Sequence, residues 1–143
     1  MKWQTRIAVL YPLLSGAIFV ALGLLTLAQP DVFEYYAIGI DSASARTAIR
    51  AMIGGGEVGL GILMFGGGRL GFSVGHRCTI AATIFACVGL ARLLSAALEG
   101  NQLLGSHQPF REAWVELMLG CLGVLAAIIA RRADLSRGSE GKS

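Results

Sequence analysis

Four charged side chains interrupt the apolar runs of this sequence: Arg50, Glu57, Arg92 and Glu116. An arginine fork holds a carboxylate or phosphate through paired N–H donors. A carboxyl group in an apolar setting can hold or release a proton. The chemistry open to this set is therefore anion holding, proton exchange or mutual neutralisation. A charge at a bilayer centre costs about 2.5–3.5 kcal/mol, so such residues are functional candidates by default. Arg46 and Glu112 form a secondary set nearer the ends of their runs.

The stretch AIRAMIGGGEVGLGILMF, residues 48–65, holds two of the four. On a helix Glu57 falls about 20° from Arg50 and about 10 Å further along the axis, too far for a direct i,i+4 pair. Its neighbours are glycines, and Gly55-x-x-x-Gly59 has the small-xxx-small spacing that admits a second helix closely. That spacing predicts helix packing at Gly55 and Gly59, with Glu57 in the same seam.

Other chemistry finds little support. GGGEVG at 54–59 fits a glycine-rich dinucleotide pattern, but it lies inside an apolar helix and not between a strand and a helix. No phosphate-cradling loop is present. Cys78, Cys87 and Cys121 form no CxxC and read as small thiols buried in helices. Ser15, Thr79 and Thr83 read as packing hydroxyls, and His76 and His107 fall at opposite membrane ends. No catalytic, cofactor-binding or metal-binding residue is assigned, and no cofactor is expected. The basic residues are scattered, without the basic, aromatic-bearing stripe of a nucleic-acid surface.

The elements that position these charges follow from composition. The chain has 143 residues, 55% hydrophobic and 15% charged, with a net charge of +3 and a mean hydropathy of +0.65. A water-facing surface needs more polar residues than this. Segments at about 7–28, 44–66, 78–98 and 110–130 each approach the ~20 residues that cross a hydrocarbon core. Lipid offers backbone groups no water, so helix is the expected form. The fold class is all-α, an integral membrane bundle of four transmembrane helices. The first apolar run is longer than the about 7–15 residues of a signal-peptide core, so an uncleaved anchor is expected.

AQPD at 28–31 ends the first helix, and Asp41 or Ser42 is the expected N-cap of the second. The intervening DVFEYYAIGIDSAS is expected at the membrane interface. GGGRLGFSVGHR at 66–77 and EGNQLLGSHQP at 99–109 are expected connections. Tyr11, Trp3 and Trp114 read as interfacial anchors. Residues 1–132 are expected to form one four-helix domain, and 133–143 a polar, disordered tail. Lys2, Arg6, Arg69, Arg77, Arg131, Arg132, Arg137 and Lys142 gather at one side, which predicts both termini in the cytoplasm. On that topology Arg50, Arg92 and Glu116 fall at nearly one depth, with Glu57 deeper.

DSASARTAIRAMIGGGEVGLGILMF, GLARLLSAALEG and WVELMLGCLGVLAA together carry a family resemblance. Over residues 6–132 the chain resembles a bacterial family of four-helix membrane proteins, domain of unknown function 4345. Its most specific part is the Arg-Ala-Met-x-Gly-Gly-x-Glu-x-Gly core. The resemblance implies a four-helix membrane plan in the bacterial cytoplasmic membrane and no particular activity. More distantly, the plan is similar to the DoxX-like membrane proteins, some of which serve quinone-linked thiol oxidation.

Three functions fit these observations. The first is a non-enzymatic accessory or small-ligand-binding membrane protein, with Arg50, Glu57, Arg92 and Glu116 as its polar network. The second is a quinone- or lipid-linked enzyme or redox accessory, with the arginines holding a polar head. The third is a proton-coupled small carrier that uses Glu57. The expected partners are the bilayer, a lipid, quinone or anionic small molecule, and a second copy or another membrane protein.

Overall fold

The computed structural model describes the backbone of residues 3–36, 40–99 and 108–140, and the side chains of 6–33, 40–98 and 110–134. His107, most of the expected loop at 99–109, Lys2, Lys142 and the Trp3 side chain lie outside the described residues. Every described element is a helix. Helix α1 is Trp3–Ala28, followed by a 3-10 segment, Pro30–Tyr36. Helix α2 (Ala43–Ile49), a π-helical stretch (Arg50–Gly55) and helix α3 (Gly56–Gly66) run on continuously into a 3-10 turn, Gly67–Leu70. Helices α4 (Val74–Glu99) and α5 (Gln108–Glu140) complete the chain.

Local chemistry sets the ends. Ser42 Oγ accepts from the Ala45 N–H at 3.1 Å, capping α2 where the sequence placed a cap. Gly71, at φ 84°, takes the left-handed conformation that ends the 3-10 turn, and glycine has no Cβ to oppose it. Ser73 Oγ accepts from the His76 N–H at 3.2 Å, so α4 begins at Val74 and not at Cys78 as expected. Helix α5 continues through Glu140. Helix α5 thus enters the stretch from residue 133 that is expected as a polar, disordered tail.

Four stretches, Arg6–Ala28, Ala43–Leu70, Val74–Leu98 and Phe110–Asp134, are long and apolar enough to cross a membrane. Their side-chain distribution is the reverse of a water-soluble protein. Leu10, Leu14, Leu24, Met52, Ile62 and Leu98 are exposed, while alanines such as Ala81, Ala82, Ala113 and Ala126 are buried. Lipid is as apolar as leucine, so close packing selects small residues for the inside and leaves bulky ones to the hydrocarbon.

The chain divides into two compact units, Leu13–Gly71 and Met1–Pro12 with Phe72–Ser143. In the first, α1 meets the second span at glycines. A Cβ on Gly23 would lie 2.7 Å from the Gly54 carbonyl oxygen, and one on Gly16 would lie 2.9 Å from Met64 Cβ. A Cβ on Gly61 would collide with Val20. Gly16 and Gly23 on α1 thus face Gly61 and Gly54. This corrects the expected seam. A Cβ on Gly59 meets nothing within 4 Å, and one on Gly55 meets only the Arg50 carbonyl oxygen of the same stretch, at 3.7 Å. Adjacent helical residues point about 100° apart, so Gly54 turns toward α1 while Gly55 turns away.

In the second unit α4 and α5 pack along their length, and the first turns of α1 join them. Tyr11, expected as an interfacial anchor, is held against α5. Its hydroxyl donates to the Leu119 carbonyl at 2.9 Å, and a Cβ on Gly123 would collide with that ring. Pro12 lies within α1 and has no N–H, which leaves the Ala8 carbonyl without its helical donor. The buried Cys78 thiol takes that place, with Sγ 3.4 Å from Ala8 O. Cys87 and Cys121 are exposed, contrary to the expectation of burial, on apolar helices that face hydrocarbon at no cost to a thiol.

Candidate functional site

In the α4–α5 unit, one arginine meets two carboxyl groups. Arg92 Nη1 lies 2.8 Å from Glu112 Oε2, and Arg92 Nε lies 2.9 Å and 3.0 Å from the two oxygens of Glu116. Glu112 and Glu116 are one helical turn apart on α5, so they share a face and would repel if nothing lay between them. The planar guanidinium of Arg92 presents separate N–H groups to each. The three side chains keep between 17% and 30% of their surface, so the cluster is half-buried and not sealed. Arg92 and Glu116 are thus brought together as the sequence implied. Glu112, expected as a peripheral residue, makes the shortest of these contacts.

In the α1–α3 unit the arginines turn to the connection between the first two spans. Arg50 Nε donates to the Leu27 carbonyl at 3.0 Å. Leu27 belongs to the last turn of α1, whose carbonyls have no partner within the helix, so the arginine acts as a C-terminal cap. Arg46, one turn earlier on α2, meets Asp31 at 3.3 Å. Arg50 also opens the π-helical stretch that runs through the glycines to Gly55. Insertions of this kind occur often at functional sites, and no residue pattern announces this one.

Glu57 stands in the first turn of α3. Its Oε2 atom is buried and has no hydrogen-bond partner among the described residues. Gly56 and Gly59 beside it border open space. The Arg50 and Glu57 pair and the Arg92 and Glu116 pair belong to different units. Two further features, the Tyr11 hydroxyl and a four-glycine seam, carried only faint signals in the sequence. Tyr11 was signalled only by its polar tip in an apolar run. The Gly16/Gly23 and Gly54/Gly61 pairs were signalled by a shared seven-residue spacing.

Four long apolar helices with half-buried ion pairs define an all-α, multi-pass membrane protein. Residues 7–127 match the family model described as a domain of unknown function, DUF4345, and the chain belongs to that family. Comparison with curated proteins and with solved structures found no match.

Proposed function

We propose that the protein is a non-enzymatic accessory of the bacterial cytoplasmic membrane, with both termini inside, that binds a small amphipathic ligand at Arg92, Glu112 and Glu116. The observation that supports this reading is a charged cluster on two apolar helices that remains partly open. A tie serving stability alone gains little from buried ions, because apolar side chains of similar volume often do as well. With two carboxyl groups to one guanidinium, the cluster suits a cationic or hydrogen-bond-donating head group and disfavours an anionic one. Native mass spectrometry with lipid analysis, on wild type beside Glu112→Gln, tests it. The expected result is a co-purifying molecule that Glu112→Gln loses while the melting temperature holds. An identical set of bound molecules in both proteins overturns the ligand reading.

A second reading rests on Glu57. A buried carboxyl oxygen with no hydrogen-bond partner among the described residues, beside open glycines, supports a proton-coupled carrier that uses this residue. Glu57→Gln in proteoliposomes is then expected to remove substrate-driven proton movement and leave the fold intact. Unchanged proton coupling in that variant rejects it.

A further inference from the structure

The α4–α5 unit contains a groove of about 370 Å³ at the end of the helix pair away from Arg92. Its floor is made by Ala82, Ala86 and Ala127, whose short side chains leave space between the helices. Its rims include Thr83, Val124 and Ile128. The threonine hydroxyls do not make it polar. Thr79 Oγ1 donates to the Gly75 carbonyl and Thr83 Oγ1 to the Thr79 carbonyl, each at 2.9 Å. Both hydroxyls are satisfied within α4, so the lining is apolar over roughly 12 Å from Thr79 to Cys87.

Arg131 closes one end of the groove. Its stem lies across Gly75, where a Cβ would come 3.3 Å from Arg131 Cγ. It makes no salt bridge among the described residues. Arg132 is its neighbour on α5, Arg77 stands at the start of α4, and Asp134 is the acid nearest in sequence. An apolar trough of this length, ending at a guanidinium with no ion pair among the described residues, matches an acyl chain joined to an anionic head group. Basic pockets between membrane helices bind such head groups through the same charge complementarity.

We propose that the α4–α5 groove is a binding site for an anionic phospholipid, with one acyl chain over Ala82, Ala86 and Ala127 and the phosphate at Arg131. The site is remote from the Arg92 cluster and does not rest on the reading given for it. Membrane lipid is the committed occupant because the groove lies on apolar helix surface and the charge lies at its end.

The test uses the full chain, purified in mild detergent, with phosphatidylglycerol or phosphatidylcholine of identical acyl chains added. Lipid retention is read by native mass spectrometry and the melting temperature is read in parallel. Wild type is expected to retain phosphatidylglycerol in preference and to gain thermal stability from it. Arg131→Gln is expected to weaken that retention roughly tenfold, the size of one charge-assisted contact. Arg131→Lys should keep most of it. Thr83→Trp, on the exposed rim, should displace the acyl chain and reduce retention of both lipids. If Thr83→Trp lowers the lipid-free melting temperature, the Arg131 pair alone decides. Equal retention of the two lipids, or retention unchanged in Arg131→Gln, overturns the proposal. So does a dimer that Thr83→Trp abolishes without any change in lipid, which would make the groove an interface between copies.

Discussion

Cys78 Sγ lies 3.4 Å from the carbonyl oxygen of Ala8, the acceptor that Pro12 leaves without a helical donor. Both residues are fully buried, so this acceptor has no water to turn to. A weak S–H donor placed there satisfies a backbone group that is otherwise orphaned.

The first prediction follows from that pairing. Cys78→Ala should destabilise the protein by about 1–3 kcal/mol, the cost of an unsatisfied buried acceptor. Cys78→Ser should be milder, because its hydroxyl still donates. Pro12→Ala restores the N–H, so the Cys78→Ala penalty should shrink in that background. Thermal unfolding of the four proteins in detergent measures this coupling. Equal Cys78→Ala penalties with and without Pro12 would show that the thiol only fills space.

Arg92 separates two carboxyl groups of like charge. Its replacement by alanine should cost more than Glu116→Gln, which leaves the Glu112 contact in place. The expected loss for Arg92→Ala is about 1.5–3 kcal/mol, the range for hydrogen bonds to charged groups. Arg92→Ala combined with Glu116→Gln should recover part of the loss, since one repelling charge is gone. Chemical denaturation midpoints check the order of the three variants.

The glycine seam gives opposite signs at two positions. Gly23→Ala places a Cβ 2.7 Å from the Gly54 carbonyl oxygen and 2.8 Å from the Val58 nitrogen, both rigid backbone atoms. Overpacking of this kind should cost about 1–3 kcal/mol. Gly59→Ala meets nothing within 4 Å. It should stabilise by about 0.5–1 kcal/mol through helix propensity. Melting temperatures that move the same way for both would contradict the seam.

Arg50 and Arg46 both fasten the first connection, by different means. Arg50→Ala removes the donor to Leu27 and should cost about 0.5–1.5 kcal/mol. Arg46→Ala breaks an exposed ion pair and should cost less than about 1 kcal/mol. Added salt should narrow the Arg46 effect and leave the Arg50 effect nearly unchanged, because only the former depends on a screened charge pair. Unfolding in low and high salt separates them.

Much of the fold was legible in the residues. The four spans, the break at Pro30, the cap at Ser42 and the need to neutralise Arg92 follow from hydropathy, backbone satisfaction and charge. Each of these is a property of a short stretch of chain and needs no knowledge of its neighbours in space. The Arg92–Glu116 pairing was reachable because both were placed at one depth by counting along helices.

The partners were decided by tertiary structure. Arg50 takes a main-chain carbonyl, Glu112 joins Arg92 directly, Gly54 and Gly61 replace Gly55 and Gly59 at the seam, and Cys78 answers a gap made by Pro12. Helix rotation explains the difference. One residue turns a side chain by about 100°, so which neighbour it meets depends on register between helices far apart in sequence. Composition determines that a helix enters the membrane, and only packing determines which face it shows.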